Sequence, residues 1–193
     1  MVGFRMFVLV LCVFLCVLGH ELTHSLRAIS LGIRVPVITL YPMGGVASMA
    51  RIPKEPWQEF SIAIVGPLFN FGLAAILYFP LKALLGQDLF SPGLDSWPRM
   101  FANVFWANPV LGAFNLIPAF PMDGGRVLRS LLSLKLNHIT ATRIAVFLGR
   151  LFAIIFFVLG IQKNHWMLVL VGVYVFIAAS REMRQALGEN ERT

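Results

Sequence analysis

Apolar residues run from Phe4 to Gly19 with Arg5 as the one charge, and the pattern continues through Leu22, Leu26, Ala28, Ile29 and Leu31. Four more apolar stretches follow. A helix needs about 17–25 residues to cross a bilayer, so the pattern predicts five spans, at roughly 4–31, 57–80, 99–119, 140–161 and 165–180. The last is short and is bounded by Trp166 and Tyr174, which suit a membrane interface. Residues 35–56 read differently. Val35, Val37, Ile38, Thr39 and Val46 favour strands, and Pro36, Pro42, Gly44, Gly45 and Pro53 punctuate them. Short strands in a loop that dips into the membrane are expected there, because irregular backbone at that depth needs protein or a water-filled cavity around it. The expected fold class is an α-helical multi-pass membrane protein: about five transmembrane helices plus a small membrane-dipped β-strand loop after the first helix. Residues 1–193 form a single transmembrane domain.

Composition agrees. A chain that is 58% apolar and 13% charged, with mean hydropathy +0.79, is not an ordinary soluble domain. Its net charge of +7 would suit nucleic acid in a soluble protein, but the placement of the charges excludes that use. In the five-span arrangement eleven basic residues fall on one side (Arg27, Arg34, Arg51, Lys54, Arg126, Arg129, Lys135, Arg143, Arg181, Arg184, Arg192). Four fall on the other (Arg5, Lys82, Arg99, Lys163), and Arg150 lies within a span. The positive-inside rule then puts the start of the chain outside and residues near 20–35 at the cytoplasmic face of the cell membrane. The N-terminal run is not a signal peptide, since no small-x-small cleavage site follows it. The tail from 181 to 193 is charged and frays or continues a helix.

His20-Glu21-Leu22-Thr23-His24 lies inside the first apolar run. Residues four apart project from one face of a helix, so both imidazoles can reach one ion, with Glu21 beside them to take a proton from water. Ionisable groups are costly in lipid and mark function there. The alternative is a helix histidine pair with no ligand role. Cys12 and Cys16 extend the stripe, but each four-residue step drifts about 40° and climbs about 6 Å, so all four cannot share an ion. They read as small apolar residues, and two cysteines within a span define no disulfide framework.

Two histidines leave a catalytic zinc one protein ligand short. Of nine acidic residues, Glu21 and Asp123 sit in or near apolar spans and the others in loops, flanks or the tail. Around Asp123 an apolar helix is expected to break at Pro118 and Pro121 and to restart after Gly124-Gly125. Asp123 is either a ligand, a cap of the following helix, or both. Asn108-Pro109 is expected to kink the third span, and His138 and His165 to be interfacial.

HELTH in the first helix, together with FNLIPAFPMDGGRVLR at 114–129, resembles the site-2 protease family of intramembrane zinc metalloproteases, in its compact archaeal and bacterial form. The resemblance covers nearly the whole chain. It implies that His20, His24 and Asp123 bind one zinc ion per chain and that Glu21 is the general base. Asn115 would hold the substrate carbonyl or its oxyanion, and Gly44 and Gly45 would be the glycine pair of the membrane-dipped loop. Gly66-Pro67 with Asn70 match a GPxxN motif of the second span. Asn70 is thus a substrate-binding candidate, with hydrogen bonding between helices as the equal alternative. The implied activity is hydrolysis of a peptide bond within or next to a transmembrane segment, as in regulated intramembrane proteolysis. The implied partners are the lipid bilayer and a membrane protein whose helix can unwind, and no nucleic acid. The family usually has a helix before the HExxH helix, whereas this sequence opens with the latter. Two rival readings stay open: a membrane peptidase trimming peptides that enter from the cytoplasm, and a zinc-holding scaffold or transporter. Glu21 argues against the second, since a structural or transported ion has no use for an unligated base.

Overall fold

A computed structural model describes residues 2–35, 37–41, 44–48 and 55–190, the strand residues by their backbone. The elements are α1 (Val2–Ser30), β1 (Val37–Tyr41), β2 (Gly44–Ser48), α2 (Pro56–Leu85), a 3-10 turn (Gly86–Phe90), α3 (Trp97–Asn115), α4 (Asp123–Leu132), α5 (His138–Gln162) and α6 (Trp166–Asn190). They form two compact units: Met1–Ile52 with Val65–Phe114, and Pro53–Ile64 with Asn115–Thr193.

In the first unit α1 runs unbroken because nothing from Val2 to Ser30 removes a backbone donor. It stops at Gly32, whose φ of 75° a side chain would resist. Gly32 N–H bonds the carbonyl of Ile29 and Ile33 N–H that of Ala28, which closes the last turn in a Schellman arrangement. β1 and β2 pair antiparallel, Tyr41 opposite Gly44 and Leu40 opposite Gly45, and the hairpin lies beside α1. Strand therefore occupies part of the stretch expected to hold it, while residues 42, 43 and 49–54, including Arg51 and Lys54, lie outside the described residues. Cys16, Met100 and Val104 bury together, as do Ala74, Leu81, Leu89, Ala102 and Phe105, so α1, α2 and α3 share one interior. At the far end of α1, Arg5 donates to the carbonyls of Leu94 and Asp95. Arg99 pairs with Asp95 at 3.0 Å, and the Asp95 carboxyl sits below its usual range because its own backbone N–H and then Arg99 favour the charged form.

In the second unit α5 packs along α6 and against α4. Small residues let α5 and α6 approach closely: a Cβ on Gly160 would stand 2.8 Å from the backbone nitrogen of Val169, and one on Gly172 at 2.8 Å from the carbonyl of Ala153. Arg150, mid-way along α5, donates to Ser180 Oγ at 3.2 Å and lies over the Phe176 ring, partners that ease a charge inside an apolar span.

Among the described residues, four helices are long and apolar enough to cross a bilayer, namely α1, α2, α5 and α6. The expected third span is a helix of 19 residues, Trp97–Asn115, but is not among the four, because Arg99, Asn103, Asn108 and Asn115 lower its hydropathy. Apolar residues of α1 face outward over much of its length; Phe4, Phe7 and Val10 are each more than 60% exposed, which is a cost in water and none in lipid. The protein is a multi-pass membrane protein.

Candidate metal centre

One turn of α1 separates His20 from His24, and both imidazoles are buried, at 3% and 5% exposure. Their rings meet edge to face with centroids 4.7 Å apart, and the two Nε2 atoms stand 3.1 Å from each other. Two nitrogen donors on one tetrahedral zinc, with bonds of about 2.0–2.1 Å, are separated by about 3.4 Å. The spacing fits a shared ion. Thr23 and Ser25 return their hydroxyls to the carbonyls of His20 and Glu21, at 2.7 and 2.9 Å, so neither occupies the imidazole face. Glu21 is half-buried and adjoins His20 in the chain.

Across from this pair, Gly66 of α2 leaves the space clear. A Cβ there would run into His24 Nε2 and come within 2.7 Å of His20 Nε2. The region where both nitrogens point is therefore a cradle that any side chain at 66 would fill. One turn further along α2, Asn70 sets its Oδ1 2.5 Å from His20 Nδ1. Asn70 Nδ2 donates to Asn108 Oδ1 at 2.9 Å, and Asn108 Nδ2 donates to the carbonyl of Val104 at 2.9 Å and to Cys16 Sγ at 3.4 Å. Asn70 and Asn108 are fully buried. Asn108 thus bonds inward within a helix that continues through Pro109.

In the second unit Asp123 is the first residue of α4, after Met122 at the N-cap. The helix restarts one residue before the glycine pair. Its N-terminus favours a carboxylate there. The glycines serve close approach: a Cβ on Gly124 would strike the carbonyls of Leu116 and Ile117, and one on Gly125 would lie 2.6 Å from Phe120 N. Asn115 closes α3 and is half-buried. Arg129, 3% exposed, donates from Nε to Glu59 Oε1 at 2.8 Å and from Nη2 to the same oxygen, and it stacks over the Phe120 ring. Glu182 approaches Arg129 Nη1 at 3.7 Å and Arg126 at 3.9 Å.

Residues 7–95 and 92–159 match the profile of Peptidase family M50. The chain belongs to peptidase family M50, the site-2 protease family. The site-2 protease from Methanocaldococcus jannaschii has a similar structure, with TM-score 0.73 and 36% identity over 93% of this chain and 77% of that one. A zinc metalloprotease of the same organism is 39% identical over 92% of this chain and 50% of its own length. The stage IV sporulation protein FB of Bacillus subtilis is 29% identical over 91% of this chain and 58% of its own. The chain spans half or less of the length of the first curated relatives it matches.

Against this M50 framework, two groups escape a reading of the sequence. Glu59 opens the second span and looks like a solvated flank, yet it is buried against a partner 70 residues away. Asn108 looks like a kink marker. The available signal was its cost: a carboxamide in an apolar helix implies a buried partner.

Proposed function

We propose that the chain is an intramembrane zinc metalloendopeptidase that hydrolyses a peptide bond within or next to a transmembrane segment of a membrane protein, as in regulated intramembrane proteolysis. The observation that carries this is the convergence of His20 Nε2 and His24 Nε2 on the bare face of Gly66. In this reading His20, His24 and Asp123 would each supply one donor atom to a single zinc. Bound there, the ion would polarise the scissile carbonyl and lower the pKa of a water towards ~7. Glu21 would take a proton from the attacking water and return it to the departing amine. Asn115 holds the substrate carbonyl or the charge that develops on it. A helical substrate hides its carbonyls, so it must unwind, and the extended segment adds to an edge of the β1–β2 hairpin near Gly44 and Gly45. Asn70, set against His20, suits orientation of that ring better than contact with substrate.

We read α3 as a fifth crossing. Asn103 and Asn108 turn their amides to carbonyls within the first unit, so they lower the helix's hydropathy without meeting lipid. With five crossings, the eleven-to-four basic asymmetry supports a cytoplasmic position for the hairpin, for α4 and for the HELTH end of α1.

Co-expression with a panel of single-span membrane proteins, wild type against Glu21→Gln, tests the activity. Products that appear with the wild type alone support it. Cleavage by Glu21→Gln at a tenth of the wild-type rate or better puts the base elsewhere, since such a base contributes about 10²–10⁴-fold. Cleavage confined to short soluble peptides favours the trimming peptidase.

A further inference from the structure

Which nitrogen of a histidine carries the proton depends on what its other nitrogen meets, and here that choice leads through two buried carboxamides to a backbone carbonyl. The carbonyl of Val104 can only accept, so Asn108 must turn Nδ2 towards it and Oδ1 towards Asn70. Asn108 Oδ1 can only accept, so Asn70 must present Nδ2 to it and keep Oδ1 for His20. Asn70 Oδ1 can only accept, so His20 Nδ1 must carry hydrogen. A neutral imidazole protonated at Nδ1 has its lone pair on Nε2, the atom that faces His24 Nε2 and the bare side of Gly66.

We propose that Asn108 is a positioning residue for the reaction: it fixes the orientation of the Asn70 carboxamide, which holds His20 as the Nδ1–H tautomer and so aims a bare Nε2 at the metal. The inference rests on the reading of His20 as a zinc ligand. Asn108 reaches His20 through the amide it orients, with Asn70 between them. Burial makes the orientation strict, because no water is at hand to satisfy a flipped amide. With Asn108 apolar, Asn70 loses the acceptor for its Nδ2 and gains by turning that group to His20 Nδ1. The ring then shifts its hydrogen to Nε2, where it opposes an ion.

The test compares zinc affinity, by competition with a chelator, in the purified full chain in detergent. Asn108→Leu should weaken zinc by about 10–100-fold, the usual effect of losing a partner that orients a metal-binding histidine. The ¹⁵N shifts of the His20 ring in the zinc-free protein should move from the Nδ1–H towards the Nε2–H pattern. The double variant Asn70→Asp with Asn108→Leu should regain most of the affinity, since a carboxylate accepts from His20 whichever way it turns. A merely structural Asn108 would leave the double variant as weak as the single. If Asn108→Leu does not fold, Asn108→Ala carries the same expectations. Wild-type affinity with an unchanged His20 tautomer in the folded variant overturns the inference. His20→Ala separates the two readings: zinc retained there removes His20 from the ligand set, whereas zinc lost there but kept in Asn108→Leu removes only the positioning role.

Discussion

Arg129 places two nitrogens on one carboxylate oxygen of Glu59, in surroundings that leave both side chains almost without solvent. A pair so buried gains little over well-packed apolar residues, but removing one partner strands the other at about 3–5 kcal/mol. Glu59→Leu should therefore destabilise the protein far more than Glu59→Leu combined with Arg129→Met. Loss of helical circular dichroism on heating in detergent reports it. Equal loss in single and double variants would show that the charges do not depend on each other. Glu182, 3.7 Å from Arg129, sets the residual cost of the single variant.

Gly66 offers a test of the cradle that changes no donor atom. Gly66→Ala puts a methyl group where both Nε2 atoms converge, so zinc affinity should fall by at least about tenfold, at the low end of what disturbing a ligand's surroundings costs. Metal analysis across a zinc titration reads the change. Unchanged affinity would mean that the ion, if held, sits away from α2.

Asp123 separates ligation from helix capping. Asp123→Asn keeps the shape and the ability to accept backbone hydrogen bonds, while Asp123→Ala keeps neither. Both variants should lose zinc if the carboxylate is the third ligand. Full zinc content and turnover in Asp123→Asn would remove it from the set.

Orientation in the membrane is open to labelling on intact cells. With Cys12→Ala and Cys16→Ala as background, an impermeant thiol reagent should reach Ser91→Cys and not Ser133→Cys. The reverse pattern would invert the topology, and labelling of both would break the five-crossing reading.

Much of this was legible because helical geometry is local. His20 and His24 are one turn apart, so their convergence follows from spacing alone, and apolar runs set the helices within a few residues. α6 continues past the span's expected end at 180 to Asn190, one of the two expectations for the tail, since charged residues end a span without ending a helix. Partnerships distant in sequence were not legible. Nothing near Glu59 announces Arg129, and nothing near Asn70 announces Asn108, because each pair meets only once its helices have packed. If α3 crosses as proposed, it shows a further limit: a hydropathy average counts an inward-facing asparagine as though it met lipid.

The same separation bears on how the protein matures. Asn70 lies 50 residues after His20, and Asn108 another 38 beyond it. A chain emerging from the ribosome displays both imidazoles long before it possesses the wall, the acceptor or the amide that orients it. Ribosome-arrested chains that end before residue 108 should hold zinc no better than a loose histidine pair, and those that have released α3 should hold it more tightly. If His20 holds zinc as proposed, tight loading waits on the release of α3, and a half-inserted chain would carry no armed site into the bilayer.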